Sequence, residues 1–281
     1  MPRAAGGRGR QPPVLKKFGQ HFLSDPKILT AIVDALAPTK SDTVIEIGPG
    51  RGSLTEILAQ RAGKLIAIEI DRALAAQLRE KFSAHVGPPL ASPLPPLANV
   101  EIIEGDFLAA APRALAGDDF LLIGNVPYYI TTPIVFKALE PPIPRRSVFL
   151  VQREVADRMA AKAGEESYGA LSVNVAAVAE VEQVLRVPAG AFRPPPKVES
   201  AVVRLTPRPK PLMPLDSLGS FRTFVQAAFG QRRKQMVRVL RSVRGLSPEK
   251  SAEFLQTAGI EPTARPEVVS PEEFARLFAL L

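Results

Sequence analysis

Thr43-Val-Ile-Glu-Ile-Gly-Pro-Gly-Arg-Gly-Ser53 is the stretch on which the fold turns. A short β-branched run passes into three glycines at spacing two, Gly48, Gly50 and Gly52, and then into SLTEILAQR, which reads as a helix. Glycines at a strand-to-helix turn let backbone approach a ligand closely and turn sharply. The dinucleotide fingerprint requires glycine at its sixth position, where Ser53 stands, so a nicotinamide or flavin reading is weakened.

Downstream the same alternation repeats. LIAIEI precedes RALAAQLREKF, VEIIEGD precedes LAAAPRALA, and FLLIGNV precedes TTPIVFKAL. Buried-strand runs alternating with helices imply βαβ units and a parallel sheet. Further strands at SVFLVQ, near VEQVLRV and at SAVVRL bring the expected sheet to about seven strands, the late pair free to run antiparallel. Upstream, SDPKILTAIVDAL predicts an opening helix capped by Ser24 or Asp25, with Ile28, Ile32 and Leu36 on one face. Prolines cluster at 12–13, 88–96, 141–144, 194–196 and 207–214 and mark loops. Beyond the last cluster only helical patterns occur, ending in a capping box with Ser270, Pro271 and Glu273. We therefore expect an α/β domain at 17–207, a small all-α domain at 208–281, and a disordered basic arm at 1–16, with a transit peptide as the arm's alternative reading.

Composition bounds the chemistry. The 281 residues hold no cysteine and two histidines, which excludes disulfides and thiolate chemistry and argues against a zinc site. No apolar run reaches membrane-spanning length, and the expected setting is the cytoplasm. Net charge is +8, but it is unevenly placed. Residues 1–20 carry five basic groups and no acid, and residues 204–250 carry eleven basic groups against two acids. Lys16 and Lys17 in the arm, with Arg232, Arg233, Lys234 and Arg238 near the C-terminus, are candidate phosphate contacts, the last four on an expected helix with Arg241 and Arg244.

Acids end successive strands. Glu69 closes the second, where a carboxylate can accept from both hydroxyls of a ribose, and Asp106 closes the third, within reach of an adenine amino group. Glu46, inside the first strand, is expected to brace the glycine loop through backbone hydrogen bonds.

Gly124-Asn125-Val126-Pro127-Tyr128-Tyr129 follows the fourth strand. An exocyclic amine on an aromatic base is a poor nucleophile, because its lone pair is delocalised into the ring. If the Asn125 side-chain oxygen and the Val126 carbonyl accept its two N–H groups, the nitrogen becomes more tetrahedral and its lone pair can be aimed. Pro127 fixes the turn, and Tyr128 offers a flat face for an extruded base.

Read together, Lys17-Phe-Gly-Gln-His-Phe-Leu23, Glu46-x-Gly-Pro-Gly-x-Gly52, Glu69-x-Asp71, Gly105-Asp-Phe107, Asn125-Val-Pro-Tyr128, Gln152-Arg-Glu154, Phe192-Arg-Pro-Pro-Pro-Lys-Val-Glu-Ser200 and Phe229-Gly-Gln-Arg-Arg-Lys234 resemble, in order, the motifs of the bacterial small-subunit rRNA adenine N6,N6-dimethyltransferases. The resemblance covers residues 16–281 and implies a Rossmann-like class I methyltransferase fold. It implies S-adenosylmethionine as cofactor and two adjacent adenosines in the 3′-terminal hairpin of small-subunit rRNA, within an immature subunit, as substrate. Nothing in the sequence suggests an obligate dimer, and a monomer is expected. The resemblance further implies that His21, Leu23, Gly48, Gly50, Glu69, Asp106 and Asn125 line the cofactor pocket and that Tyr128 and Phe192 sandwich the target base. Two departures stand out: Tyr129, where the family commonly carries Asn, and a loop insertion at 83–98. The alternatives are a large-subunit rRNA methyltransferase of the macrolide-resistance type, a docking factor on the same fold, and a dehydrogenase.

Overall fold

The computed structural model describes residues 21–83 and 99–281. The basic arm, with Lys16 and Lys17, and all of the expected insertion after Ser83 lie outside those residues.

Seven strands form one sheet. In chain order they are β2 (Thr43–Ile47), β3 (Lys64–Glu69), β4 (Val100–Glu104), β5 (Leu121–Asn125), β6 (Arg146–Gln152), β7 (Ala179–Val187) and β9 (Ser200–Pro207), while β1 (Phe22–Leu23) and β8 (Phe192–Arg193) pair separately as a small antiparallel ladder. The order across the large sheet is β4-β3-β2-β5-β6-β9-β7. β2 to β6 are parallel, and β9 runs antiparallel to both of its neighbours. The strand order reverses between β2 and β5, which is the place where open α/β sheets bind ligands.

Side chains of successive strand residues point to opposite faces, and the apolar ones build two cores. Val44, Leu65, Leu121 and Val148 pack beneath the opening helix α1 (Pro26–Leu36) and α2 (Ser53–Arg61). Ile45, Ile66, Leu122 and Phe149 face the other way. On that second face, α5 (Thr131–Ala138), α6 (Arg153–Ala160) and α7 (Ala170–Ala176) share one cluster with the C-terminal helices α8 (Leu218–Phe229), α9 (Met236–Arg244), α10 (Pro248–Ala258) and α11 (Pro271–Ala279). α3 (Arg72–Ser83) follows β3, and α4 (Pro112–Ala116) follows β4. Among the described residues no helix is long and apolar enough to cross a membrane.

The C-terminal helices are therefore not loosely tethered. Arg222 of α8 donates to Glu140 Oε1 at 3.0 Å and to the Phe136 carbonyl at 2.6 Å, and lies over the Phe136 ring. On the same side, the buried Tyr168 hydroxyl donates to the Val269 carbonyl at 2.7 Å.

Three local expectations shift. Asp25, not Ser24, caps α1, accepting from the Lys27 and Ile28 N–H groups. The basic run is not a single helix: residues 231–234 form a turn and α9 begins only at Met236, because Met236 and Val237 are anchored by the Ala264 and Pro262 carbonyls. The helix expected in LAAAPRALA shortens to Pro112–Ala116, since proline belongs at a helix start. The capping box at Ser270 and Glu273 forms as expected.

Candidate active site

A cavity opens above the carboxyl ends of β2, β3 and β5. Its floor is the glycine loop. Gly48, Gly50 and Gly52 all adopt left-handed conformations, with φ of 61°, 60° and 81°, which L side chains rarely tolerate. A Cβ on Gly50 would also stand 3.0 Å from the Phe22 ring. Close backbone approach at this loop is thus a requirement of its geometry.

Glu69 is buried at the end of β3. Its Oε2 accepts from the Gly50 N–H and its Oε1 from the Asp71 N–H, both at 2.9 Å. Each carboxylate oxygen keeps a lone pair in hand, so the group can take up a diol while holding the loop. Burial pushes its pKa upward, and these backbone donors partly offset that.

Glu46 behaves differently from the sequence expectation. Among the described residues no backbone N–H donates to its carboxyl to brace the loop; the group lines the cavity, is 1% exposed, and its Oε2 has no partner. The Thr55 hydroxyl is close enough to temper the burial effect without closing a hydrogen bond of good geometry. Burial, with Glu69 nearby, raises Glu46 to about 8, so it is largely protonated at neutral pH. The chain folds this way because Glu46 sits between Ile45 and Ile47 in a central strand flanked by β3 and β5.

Asn125 ends β5. Its Nδ2 donates to the His21 carbonyl at 3.1 Å; a carbonyl can only accept, so the amide is oriented with Oδ1 the other way. Among the described residues neither Asn125 Oδ1 nor the Val126 carbonyl accepts a hydrogen bond, although the Val126 N–H is held by the Leu150 carbonyl at 3.2 Å. Asn125 and Val126 both line the cavity, beside Pro127 and Tyr128.

Tyr128 is fixed at both ends. Its hydroxyl hydrogen-bonds Ser200 at 2.8 Å, and the His21 ring stacks on it with centroids 5.8 Å apart. His21 Nδ1 donates to the Pro194 carbonyl at 2.9 Å. The N-terminal ladder is thereby sewn to the far loop over the cavity.

The structure brings His21, Leu23, Gly48, Gly50, Glu69, Asn125, Val126, Pro127 and Tyr128 to one cavity. It does not bring two others. Phe192 is 0% exposed, paired with Leu23 across the β1–β8 ladder and packed in the α1-side core, so its ring does not face Tyr128 across an open slot. Asp106 is exposed, does not line the cavity, and spends Oδ1 on the Leu108 N–H at 2.9 Å. A short acceptor two residues before an unpaired N–H satisfies its own turn first.

Among the basic residues, Arg233, Lys234 and Arg238 are exposed, and Lys234 and Arg238 line a shallow groove with Arg241. Arg232 is committed elsewhere: it donates to Glu267 at 2.8 Å and to the Glu166 carbonyl at 3.3 Å. Sequence reading missed Ser200, Arg51 stacked on Phe22 at 4.3 Å, and the orphaned Glu46 oxygen. The one available signal was Glu46 itself, an acid inside an otherwise apolar strand.

The profile described as Ribosomal RNA adenine dimethylase matches residues 14–281. Ribosomal RNA small subunit methyltransferase A of Bacillus mycoides (strain KBAB4) is 41% identical over 272 residues, covering 93% of this chain and 89% of that protein. The same-named protein of Bacillus cereus (strain B4264) matches equally well, 41% over 272 residues with the same coverage of both chains. Among solved structures, the 23S rRNA methyltransferase ErmE superposes with a TM-score of 0.69 at 32% identity, over 92% of this chain and 98% of that one. A dimethyladenosine transferase from Plasmodium falciparum shares the fold, with a TM-score of 0.74 at 24% identity, over 92% and 97% of the two chains.

Proposed function

The chain belongs to the ribosomal RNA adenine dimethylase family, and from that premise we propose that it methylates N6 of two adjacent adenosines in the 3′-terminal hairpin of small-subunit rRNA, giving dimethyladenosines during subunit assembly. It does so as a monomer in the cytoplasm. The observation that carries this reading is the pair of unoccupied acceptors, Asn125 Oδ1 and the Val126 carbonyl, at the mouth of a glycine-loop cavity.

The residues present fit S-adenosylmethionine. Glu69 retains acceptor capacity for a ribose, the glycine loop offers close backbone, and the unpartnered Glu46 oxygen can accept from an ammonium group. When bound, that cofactor supplies a methyl group on an electrophilic sulfonium. Gly48, Gly50, Glu69, Leu23 and the His21 backbone would hold it.

The rest of the chemistry falls to the protein's own groups. The two acceptors take the N–H groups of the target amine and favour a pyramidal nitrogen whose lone pair is no longer shared with the ring. Tyr128, locked by Ser200 and His21, provides one face against which the extruded base lies. As the nitrogen gains carbon its proton becomes acidic and passes to water, so no dedicated base is needed. A neutral amide at 125 tolerates a methyl where an N–H first pointed, which allows a second transfer.

We assign residues 17–207 to catalysis and 208–281, with the arm, to gripping folded RNA through its phosphates. RNA affinity should fall steeply with salt. Because Arg232 is tied to Glu267, the triple change Arg233→Ala, Lys234→Ala, Arg238→Ala is the discriminating one. It is expected to weaken binding across sequences and to flatten the slope of log affinity against log salt by roughly one for each phosphate left without its cation, up to about three. A salt-independent affinity would refute the electrostatic grip.

The 41% identity to small-subunit enzymes, against 32% to ErmE, favours the small particle over the large. Incubating unmethylated small and large ribosomal particles with protein and S-adenosylmethionine, then weighing the rRNA fragments, tests this. Dimethyladenosine in the small-subunit terminal hairpin is expected, and label confined to the large particle would overturn it.

A further inference from the structure

We propose that Tyr129 is a second base-stacking platform, which holds the nucleotide adjacent to the one being methylated. The inference rests on the reading above, in which the substrate carries two neighbouring adenosines.

At 60% exposure Tyr129 is the most exposed large apolar side chain among the described residues, and it lines the mouth of the cavity directly after Tyr128. Neither its ring nor its hydroxyl has a partner among the described residues. An exposed apolar side chain by itself asks for no explanation. This one stands at the rim of the cavity that also presents Asn125, and its backbone is held firmly there.

Residues Tyr128–Ile130 form a single 3₁₀ turn between β5 and α5. The Ile130 N–H donates to the Pro127 carbonyl at 3.1 Å, and the buried Thr131 hydroxyl lies 3.3 Å from the Pro127 carbonyl and 3.4 Å from that of Tyr128. Adjacent tyrosines therefore have opposite fates. Tyr128 turns inward, its hydroxyl on Ser200; Tyr129 presents a free aromatic face outward from a rigid turn. A rigid aromatic with two side-chain torsions loses little entropy on contact.

Extruding one adenosine from its stack leaves its neighbour with an uncovered face, one nucleotide from the cavity mouth. An aromatic platform recovers stacking of roughly 1–3 kcal/mol per base, about a fivefold to a hundredfold in affinity. Arg51, whose guanidinium lies over Phe22 on the same cavity wall, adds positive charge suited to the connecting phosphate.

The chain contains no tryptophan, so Tyr129→Trp introduces a single reporter. The test titrates the full-length parent and its Tyr129→Trp, Tyr129→Phe and Tyr129→Ala variants with a synthetic RNA hairpin carrying two adjacent adenosines. A second hairpin replaces the neighbouring adenosine with an abasic site. Tryptophan emission should be quenched by the first hairpin and much less by the second. Affinity should be kept by Phe and Trp and lowered about fivefold to a hundredfold by Ala. Quenching indifferent to the abasic site, or an Ala affinity within about twofold of the parent, would overturn the platform. Mass analysis of the same samples separates the two readings: a parent that methylates the hairpin while Tyr129 proves indifferent loses only the platform, whereas a parent that neither binds nor methylates it loses both.

Discussion

Replacing Asn125 with alanine lowers methyl transfer by roughly a hundredfold to a thousandfold, the scale of removing one oriented polar group from a reacting centre. The change removes two things at once. It deletes Oδ1, one of the two acceptors we propose for the target amine, and it deletes the Nδ2 bond to the His21 carbonyl that ties the N-terminal ladder over the cavity. Asn125→Asp removes only the second. An aspartate keeps an acceptor but cannot donate to His21, and its charge would face that carbonyl, so it is expected to be strongly impaired as well. Single-turnover methylation of small ribosomal particles, read alongside RNA affinity, measures the effect: the rate falls while binding, carried mainly by the basic groove and the stacking tyrosines, changes little. Retained dimethylation in the alanine variant would remove Asn125 from the mechanism. Loss of methylation with fully normal ribosome maturation would instead point to docking as the cellular role.

Glu46→Gln carries the second large effect, on stability against pH. The sign follows from proton uptake. Glu46 is raised from 4.5 to about 8 by burial, with Glu69 adding repulsion. Between those values the folded state holds a proton that the unfolded chain has released, so stability falls as pH rises. Each pH unit in that window costs at most about 1.4 kcal/mol, on the order of a few kcal/mol across it. The loss begins above the unfolded value and levels off once the folded carboxyl ionises. Gln, neutral throughout, removes this slope, and the variant should be the more stable protein at pH 8 while differing little near pH 4. Burial raises Glu69 in the same direction, so a shallower slope remains. Urea unfolding of both proteins from pH 4.5 to 8.5 reads the difference directly. Parallel curves would show that Glu46 is already ionised in the folded state.

The two variants also differ in what they reveal about reading a sequence. Asn125 is legible through its company: Asn-Val-Pro-Tyr at a strand end is an ordinary turn by itself, and gains a chemical reading only beside the glycine loop and the strand-end acids. Glu46 is legible only as an anomaly. A loop brace is a fair expectation from proximity, yet the carboxyl has one oxygen with no partner among the described residues. The C-terminal helices read as a separate unit along the chain, and in space their phenylalanines join the sheet's own core.

What the sequence determined by itself is what local periodicity can encode: the alternation of strands and helices, the left-handed glycine loop, and the strand-end placement of Glu69 and Asn125. Tertiary structure alone decided the pairings between distant residues. The direction of the Asn125 amide is set by a carbonyl 104 positions earlier, and Arg232, though exposed, is paired with Glu267, 35 positions later. Phe192 goes into the core because a two-residue ladder with Phe22 and Leu23 fixes its face. Such pairings depend on which segments meet when the sheet closes, and no spacing within a single segment carries that information.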